Sequence, residues 1–187
     1  NLLHCFTWNV PFNHSKMSVL PIGLNYNRQF KVLEKWLSQN KSSQPTKLLC
    51  MNCSLHTDPS RSTLVEYSKE HWSSFCTILD YVPSSFTYFI PSFIEGQIQI
   101  NVTNSKCYDL WKDFKFVLSP KGAGLDCHRT WEVLAMGSIP IVLSSIIDDA
   151  FKHLPVVIVD TWSEINEQFL QTKYDEIMKK HENNEYK

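Results

Sequence analysis

The chain has 187 residues and a mass of 21.8 kDa, with 43% hydrophobic and 20% charged residues, the profile of one folded domain. Eighteen Lys and Arg against nineteen Asp and Glu leave a net charge of −1, which argues against a general nucleic-acid or membrane-surface binder with a basic face. The longest apolar runs, around Ile139–Leu143 and Leu154–Val159, fall far short of the roughly 18 residues of a membrane span.

No charged-then-apolar leader pattern is read at the start, and a chain opening on Asn1 reads as a piece of a longer protein. Six cysteines are too sparse and irregular for a disulfide scaffold. Sequons begin at Asn13, Asn40, Asn52 and Asn101, about twice the chance expectation, which leaves a secretory (Golgi) lumen and the cytoplasm both open.

In chain order, Ser18–Ile22 is a short apolar run closed by Gly23. Over 27–37, Phe30, Leu33 and Leu37 recur at helical spacing. Lys47–Cys53 reads as a buried strand, and Ser60–Trp72 as a helix capped by Ser60. Strands are expected over 86–90 and 93–100, broken at Pro91, with a short helix over 107–111. Thereafter strands over 114–118, 139–143 and 156–159 alternate with helices over 127–136, 147–153 and 165–180. Short, continuously apolar strands between helices predict an α/β fold. The expectation is a Rossmann-like, doubly wound, mostly parallel sheet with helices on both faces.

Chemistry concentrates in Phe114–Leu143, one strand–loop–helix–strand unit. Pro120 ends the strand, Lys121-Gly-Ala-Gly124 makes the turn, and Asp126 is expected as the helix N-cap. Gly137 suits the left-handed position after the helix. Neither a P-loop nor the full dinucleotide fingerprint is present, since Cys127 stands at the third glycine of the latter. Arg129 lies in the first helical turn, where the helix dipole disfavours a cation, and Lys121 lies just before it. Two cations converging on a helix N-terminus make sense with an anion between them. Glu132 is one turn further on and could accept hydrogen bonds from ribose hydroxyls; the alternative is a surface i,i+3 ion pair with Arg129.

Arg61, at the end of a predicted strand, is a further anion-binding candidate or a solvated capping-loop residue. His128 is read either as a general base or phosphate contact, or as structural. Cys50 and Cys53 point to opposite faces of a strand and so do not make a zinc pair. Asp148-Asp149 reads as helix capping, and no metal site is implied. Trp162 is a candidate for lining a cleft, and the charged tail from Lys173 is read as a solvated helix end or, in a complete enzyme, a hinge or packing helix.

Ser119-Pro-Lys-Gly-Ala-Gly124, Asp126-Cys-His-Arg129, Glu132 and Gly137-Ser-Ile-Pro-Ile-Val142 resemble the donor-domain motif of exostosin-like glycosyltransferases. Leu20-Pro-Ile-Gly23 resembles the start of their C-terminal domain, and Leu154–Glu164 a later segment. The close match covers about fifty residues, with Lys121 in place of an Arg and Ser138 in place of a Cys. The resemblance implies one half of a GT-B fold, with residues 1–24 a linker from an N-terminal acceptor domain and 25–187 the donor-binding domain. It implies transfer of a sugar from a nucleoside-diphosphate sugar, as co-substrate, to a glycan or other hydroxyl acceptor. Arg129 and Lys121 would meet the diphosphate and Glu132 the ribose or sugar. Ser119, Gly122, Gly124 and Asp126, with Arg61, complete the expected donor site, and His128 joins Arg129 and Glu132 as a catalytic candidate. No separate cofactor or metal is expected. The alternatives are a non-catalytic nucleotide- or carbohydrate-binding module and, more remotely, half of an NAD-type oxidoreductase.

Overall fold

The computed structural model describes residues 3–10, 12–25, 31–39, 44–79 and 105–186. The strands expected over 86–90 and 93–100, the start of the first helix, and the sequons at Asn40 and Asn101 lie outside them.

Two short strands, β1 (Cys5–Thr7) and β2 (Met17–Val19), precede helix α1 (Lys31–Gln39). Strand β3 (Lys47–Met51), helix α2 (Ser60–His71) and strand β4 (Cys76–Ile78) follow, then α3 (Ser105–Trp111), β5 (Phe114–Leu118), α4 (His128–Ala135), β6 (Ile139–Leu143), β7 (Val157–Val159) and α5 (Glu167–Glu182). Short 3-10 turns occupy Asp148–Ala150 and Trp162–Glu164. Strands β3 to β7 form one parallel sheet in the order β4-β3-β5-β6-β7, with Leu49 opposite both Cys76 and Phe116, and Ile141 opposite Val157. The architecture is the expected Rossmann-like, doubly wound α/β fold.

The strands are continuously apolar because both faces are covered. Leu49, Met51, Phe116, Leu118 and Ile141 pack with Leu64 and Trp72 around α2 and with Leu170 and Ile177 of α5. On the opposite face, Cys50 and Val117 pack with Leu33 and Trp36 of α1, Tyr108 and Trp111 of α3, and Val133 of α4. Each such side chain taken from water contributes roughly 1.5–3 kcal/mol. Cys50 and Cys53 fall in different clusters, on opposite faces, as strand geometry requires. Helix α5 packs on this core through Leu170 and Ile177, and beyond Met178 its end is exposed, as expected for the charged tail.

The helix ends follow local chemistry, with two departures from expectation. Ser60 is the first residue of α2 and not its cap: Pro59 holds the N-cap position, and Asp58 before it accepts the Ser60 backbone N–H at 2.9 Å. At the start of α4, Asp126 is not the cap, because its carboxylate is drawn elsewhere, as described below; Cys127 holds that position without a side-chain bond. The end of α4 is as predicted. Gly137 takes φ +82°, and its N–H and that of Ser138 close back on the carbonyls of Leu134 and Val133. A Cβ at Gly137 would meet nothing within 4 Å, so the cost of adding one is conformational. Gly137→Ala is expected to cost about 1–2 kcal/mol and, in a thermal scan, to lower Tm by roughly 2–8 °C.

The order of strands sets where a ligand would go. From β3 the chain moves outward to β4, then crosses back to β5 and continues the other way through β6 to β7. The sheet therefore reverses direction between β3 and β5, and in open α/β sheets the crevice at the carboxyl ends of those two strands is the binding position. The segments that emerge there are 52–59, after β3, and 119–127, after β5.

Candidate functional site

The loop after β5 is held from beneath by Arg61, the second residue of α2. Its guanidinium donates from Nε to the Lys121 carbonyl at 2.7 Å, from Nη2 to the Pro120 carbonyl at 2.9 Å, and from Nη1 to the Ser54 carbonyl at 3.0 Å. One buried cation, 5% exposed, thus ties the loop after β3 to the loop after β5. The expectation that Arg61 meets an anionic ligand is corrected: its donors are turned to main-chain carbonyls, and it shapes the loop.

The glycines answer the same packing. Neither Gly122 nor Gly124 has a positive φ. A Cβ on Gly122 would sit 3.1 Å from Arg61 Nη2 and 3.3 Å from Cys127 Sγ. One on Gly124 would collide with the Asn9 side chain at 2.3–2.7 Å. They are glycine because other groups crowd them, not because the turn is left-handed. Ser119 is also committed to the scaffold, its hydroxyl 2.8 Å from that of Thr130. Burial pushes the Cys53 and Cys127 thiols up, so both pack near Arg61 as neutral groups.

The segment expected to be a linker is bonded to this loop. Asp126 Oδ2 accepts the Ile22 N–H at 2.6 Å and Oδ1 accepts the Trp131 indole N–H at 2.8 Å, while the Asp126 N–H donates to Asn9 Oδ1 at 2.7 Å. Buried and doubly occupied, Asp126 fastens residues 9–22 to α4 and is not a ligand group. His128 makes a further tie, with Nδ1 2.7 Å from the Gly23 carbonyl. The carbonyl can only accept, so Nδ1 is the donor and Nε2 is the ring nitrogen turned away from this tie.

Of the expected cations, Lys121 is half-exposed and pairs with Asp58 at 3.4 Å. Asp58 is held below the usual carboxylate range first by the Ser60 hydroxyl and N–H and then by Lys121. Arg129 is placed differently. Its Nη1 donates to the backbone carbonyl of Asn52 and, at 3.1 Å, to Asn52 Oδ1. Its Cζ lies 4.9 Å from the centre of the Trp111 ring. No carboxylate lies within 4 Å of Arg129 or Arg61 among the described residues. The two guanidiniums are close enough that Arg129 lowers the pKa of Arg61, second only to burial.

Glu132 does not form the surface ion pair that was the alternative to ligand binding. It is 6% exposed, and its Oε1 is enclosed without a hydrogen-bond partner among the described residues. Burial lifts its carboxyl above the ordinary glutamate range, against the pull of Arg129, His128 and the Tyr108 hydroxyl. Asn52 Nδ2 and Trp111 Nε1 are likewise buried without a partner among the described residues, and both residues touch Arg129. A buried polar atom left unpaired costs about 1–3 kcal/mol, so three around one arginine mark a functional candidate.

Sequence reasoning brought together Arg129, Glu132, Lys121 and His128 and missed Asn52, Trp111 and Asp58. Asn52 could have been found by its position, the first residue beyond a buried strand; it was read only as a sequon. At 1% exposure that sequon is closed in the folded protein, whereas Asn13 is exposed. Trp162 packs against the α2/α5 core and does not line the crevice. An open groove of about 560 Å³ between β2 and the 3-10 turn after β6, lined by Val10, His14, Met17, Val19, Ile146 and Asp149 among others, shares no residue with the switch-point site.

No helix among the described residues is long and apolar enough to cross a membrane. No group of three or more His, Cys, Asp or Glu suited to a metal ion occurs among them. Comparison with protein-family models and with curated proteins gave no match.

Proposed function

We propose that this chain is the donor-binding half of an exostosin-like GT-B glycosyltransferase, which binds a nucleoside-diphosphate sugar and passes the sugar to an acceptor hydroxyl. The observation that carries the reading is the pairing at the start of α4. Among the described residues, Arg129 presents a guanidinium whose Nε and Nη2 have no hydrogen-bond partner, and one turn on, Glu132 holds an unpartnered buried oxygen. A diphosphate suits the first and a hydroxyl-rich ribose or sugar the second. As the sugar–phosphate bond breaks, negative charge grows on the leaving diphosphate. Arg129, with Lys121 at the loop edge and the N–H groups opening α4, stabilises that charge without reorganising. Glu132 orients the donor, and His128, in the first turn of α4, is the candidate proton acceptor.

In this reading the acceptor domain precedes the donor domain. The segment bonded to the donor loop offers it an apolar surface, since Leu3, Phe6, Trp8 and Phe12 are exposed.

The test is calorimetric titration with UDP, GDP, CMP and NAD. One nucleoside diphosphate is expected to bind saturably, and Arg129→Ala to weaken it at least tenfold, about 1.4 kcal/mol, beyond the Tm loss of roughly 2–12 °C that orphaning the Asn52 oxygens brings. Tight binding of NAD alone, or binding indifferent to Arg129, overturns the proposal. Binding without sugar transfer in a chain that includes the acceptor domain favours the non-catalytic module.

A further inference from the structure

Three features were candidates for a function beyond this: the groove beside β2, the exposed apolar face of β1–β2, and the buried polar groups around Arg129. The groove holds no buried unpaired group, and nothing fixes what covers the apolar face. The third feature carries an inference, which rests on the donor-site reading above.

We infer that Asn52 and Trp111 are positioning residues, which turn Arg129 from a mobile surface cation into a fixed fork presented to an anion on one side only. An arginine side chain carries large rotamer freedom, and ordering it on binding costs affinity. Here that freedom is removed beforehand. Both hydrogens of Nη1 are taken by Asn52, one by its backbone carbonyl and one by Oδ1. The Trp111 ring lies against the guanidinium, which favours the cation without neutralising it. Nη2 and Nε remain, and their parallel N–H groups match two oxygens of one phosphate.

The chemistry of residue 52 is selective. Its Oδ1 must accept from Arg129 without carrying charge. A carboxylate there would hold the guanidinium as firmly but would neutralise it and compete with the ligand. An asparagine at the carboxyl end of β3, on the first residue of the switch-point loop, meets both conditions. Its Nδ2 is buried and unpartnered beside the same arginine, placing one more donor at the site that Arg129 faces.

The experiment titrates the native protein, Arg129→Ala, Asn52→Ala, Asn52→Asp, Trp111→Leu and Trp111→Phe with UDP and GDP. Thermal scans and ¹⁵N NMR of the arginine side chains accompany the titrations. Asn52→Ala is expected to weaken binding about 5- to 20-fold. Asn52→Asp should weaken it at least tenfold while Tm is unchanged or higher, a divergence that a purely structural residue would not give. Trp111→Leu should lose affinity and Trp111→Phe, which keeps the ring face, should stay within about threefold. Separate Nη1 and Nη2 signals for Arg129 in the native protein, merging in Asn52→Ala, would show the fork held before ligand arrives.

A freely rotating Arg129 guanidinium in the native protein overturns the inference whatever nucleotides do. So do folded Asn52 variants that bind like the native protein while Arg129→Ala does not; in that case the donor site stands and only the positioning role falls. If Arg129→Ala itself binds normally, or no diphosphate binds, the donor reading fails and takes the inference with it.

Discussion

Replacing Glu132 with methionine is expected to stabilise the protein by about 1–2 kcal/mol, raising Tm by roughly 2–8 °C, while nucleoside-diphosphate affinity falls below detection. The gain has a physical source. The carboxyl is buried with one oxygen unpartnered, and burial outweighs the combined attraction of Arg129, His128 and the Tyr108 hydroxyl, so its charged form is unfavourable in the folded state. Methionine fills a similar volume without a group to desolvate. The effect also has a pH signature. A carboxyl whose folded pKa lies above its unfolded value contributes stability below the unfolded value and loses it as pH rises through the folded one. The native protein should therefore lose stability relative to Glu132→Met above the ordinary glutamate value of about 4.5, and below it the difference should narrow to a pH-independent remainder. Denaturant titrations of both proteins across pH 4 to 8 check this. A Glu132→Met protein less stable than the native one at every pH would make Glu132 a structural residue and remove the main support for a ribose or sugar contact. A Glu132→Gln protein, which keeps shape and one carbonyl oxygen, should retain part of the affinity, because that oxygen still accepts from a hydroxyl.

The parts of this molecule legible in the sequence are those set by local chemistry. Strand β5, helix α4 and strand β6 could be read because an apolar run, a proline stop, two glycines, an amphipathic turn and a left-handed glycine follow one another within thirty residues. Strand β4 could not, since Cys76-Thr-Ile is three residues long and becomes a strand only by lying beside Leu49–Met51. Strand β1 is equally short, and its segment looks like a linker until Asp126 and His128 are seen to hold it. Asp126 was assigned a cap by its spacing from α4. The competing donors, the Ile22 N–H and the Trp131 indole, were invisible because one of them is 104 residues away. The same distance problem hid Asn52. Its bond to Arg129 spans 77 positions and exists only because β3 and β5 are neighbours at the point where the sheet reverses. Periodicity placed Arg129 and Glu132 on one helix face but could not show that Tyr108 and Trp111 of α3 lie against it, and that burial is what separates Glu132 from a surface ion pair.

The largest loss of stability is expected at Arg61, and it should come with a loss of binding that has a different cause from that of Arg129. Removing the side chain in Arg61→Ala leaves the carbonyls of Ser54, Pro120 and Lys121 without their donor and opens space beneath Gly122. Breaking a buried charged network of this kind costs about 3–5 kcal/mol. Because the guanidinium joins the two segments that form the switch-point crevice, the loop carrying Lys121 and the start of α4 loses its seat. Arg61→Lys should rescue little. A single ammonium on a flexible stem cannot reach three carbonyls set around a planar fork, and burial of the cation, which already lowers the Arg61 pKa, weighs more heavily on an amine able to deprotonate. The two arginines thus predict different signatures: Arg129→Ala weakens binding at least tenfold with a Tm loss of roughly 2–12 °C, whereas Arg61→Ala lowers Tm by roughly 6–20 °C and loses affinity only through the loop. A high concentration of the cognate nucleoside diphosphate should restore part of the Arg61→Ala stability by mass action, since ligand binding to the folded form pulls the loop back into place. The same ligand should leave Arg129→Ala unshifted. Thermal scans of both variants with and without nucleotide separate the roles. Equal rescue of the two would mean that Arg61, too, touches the ligand.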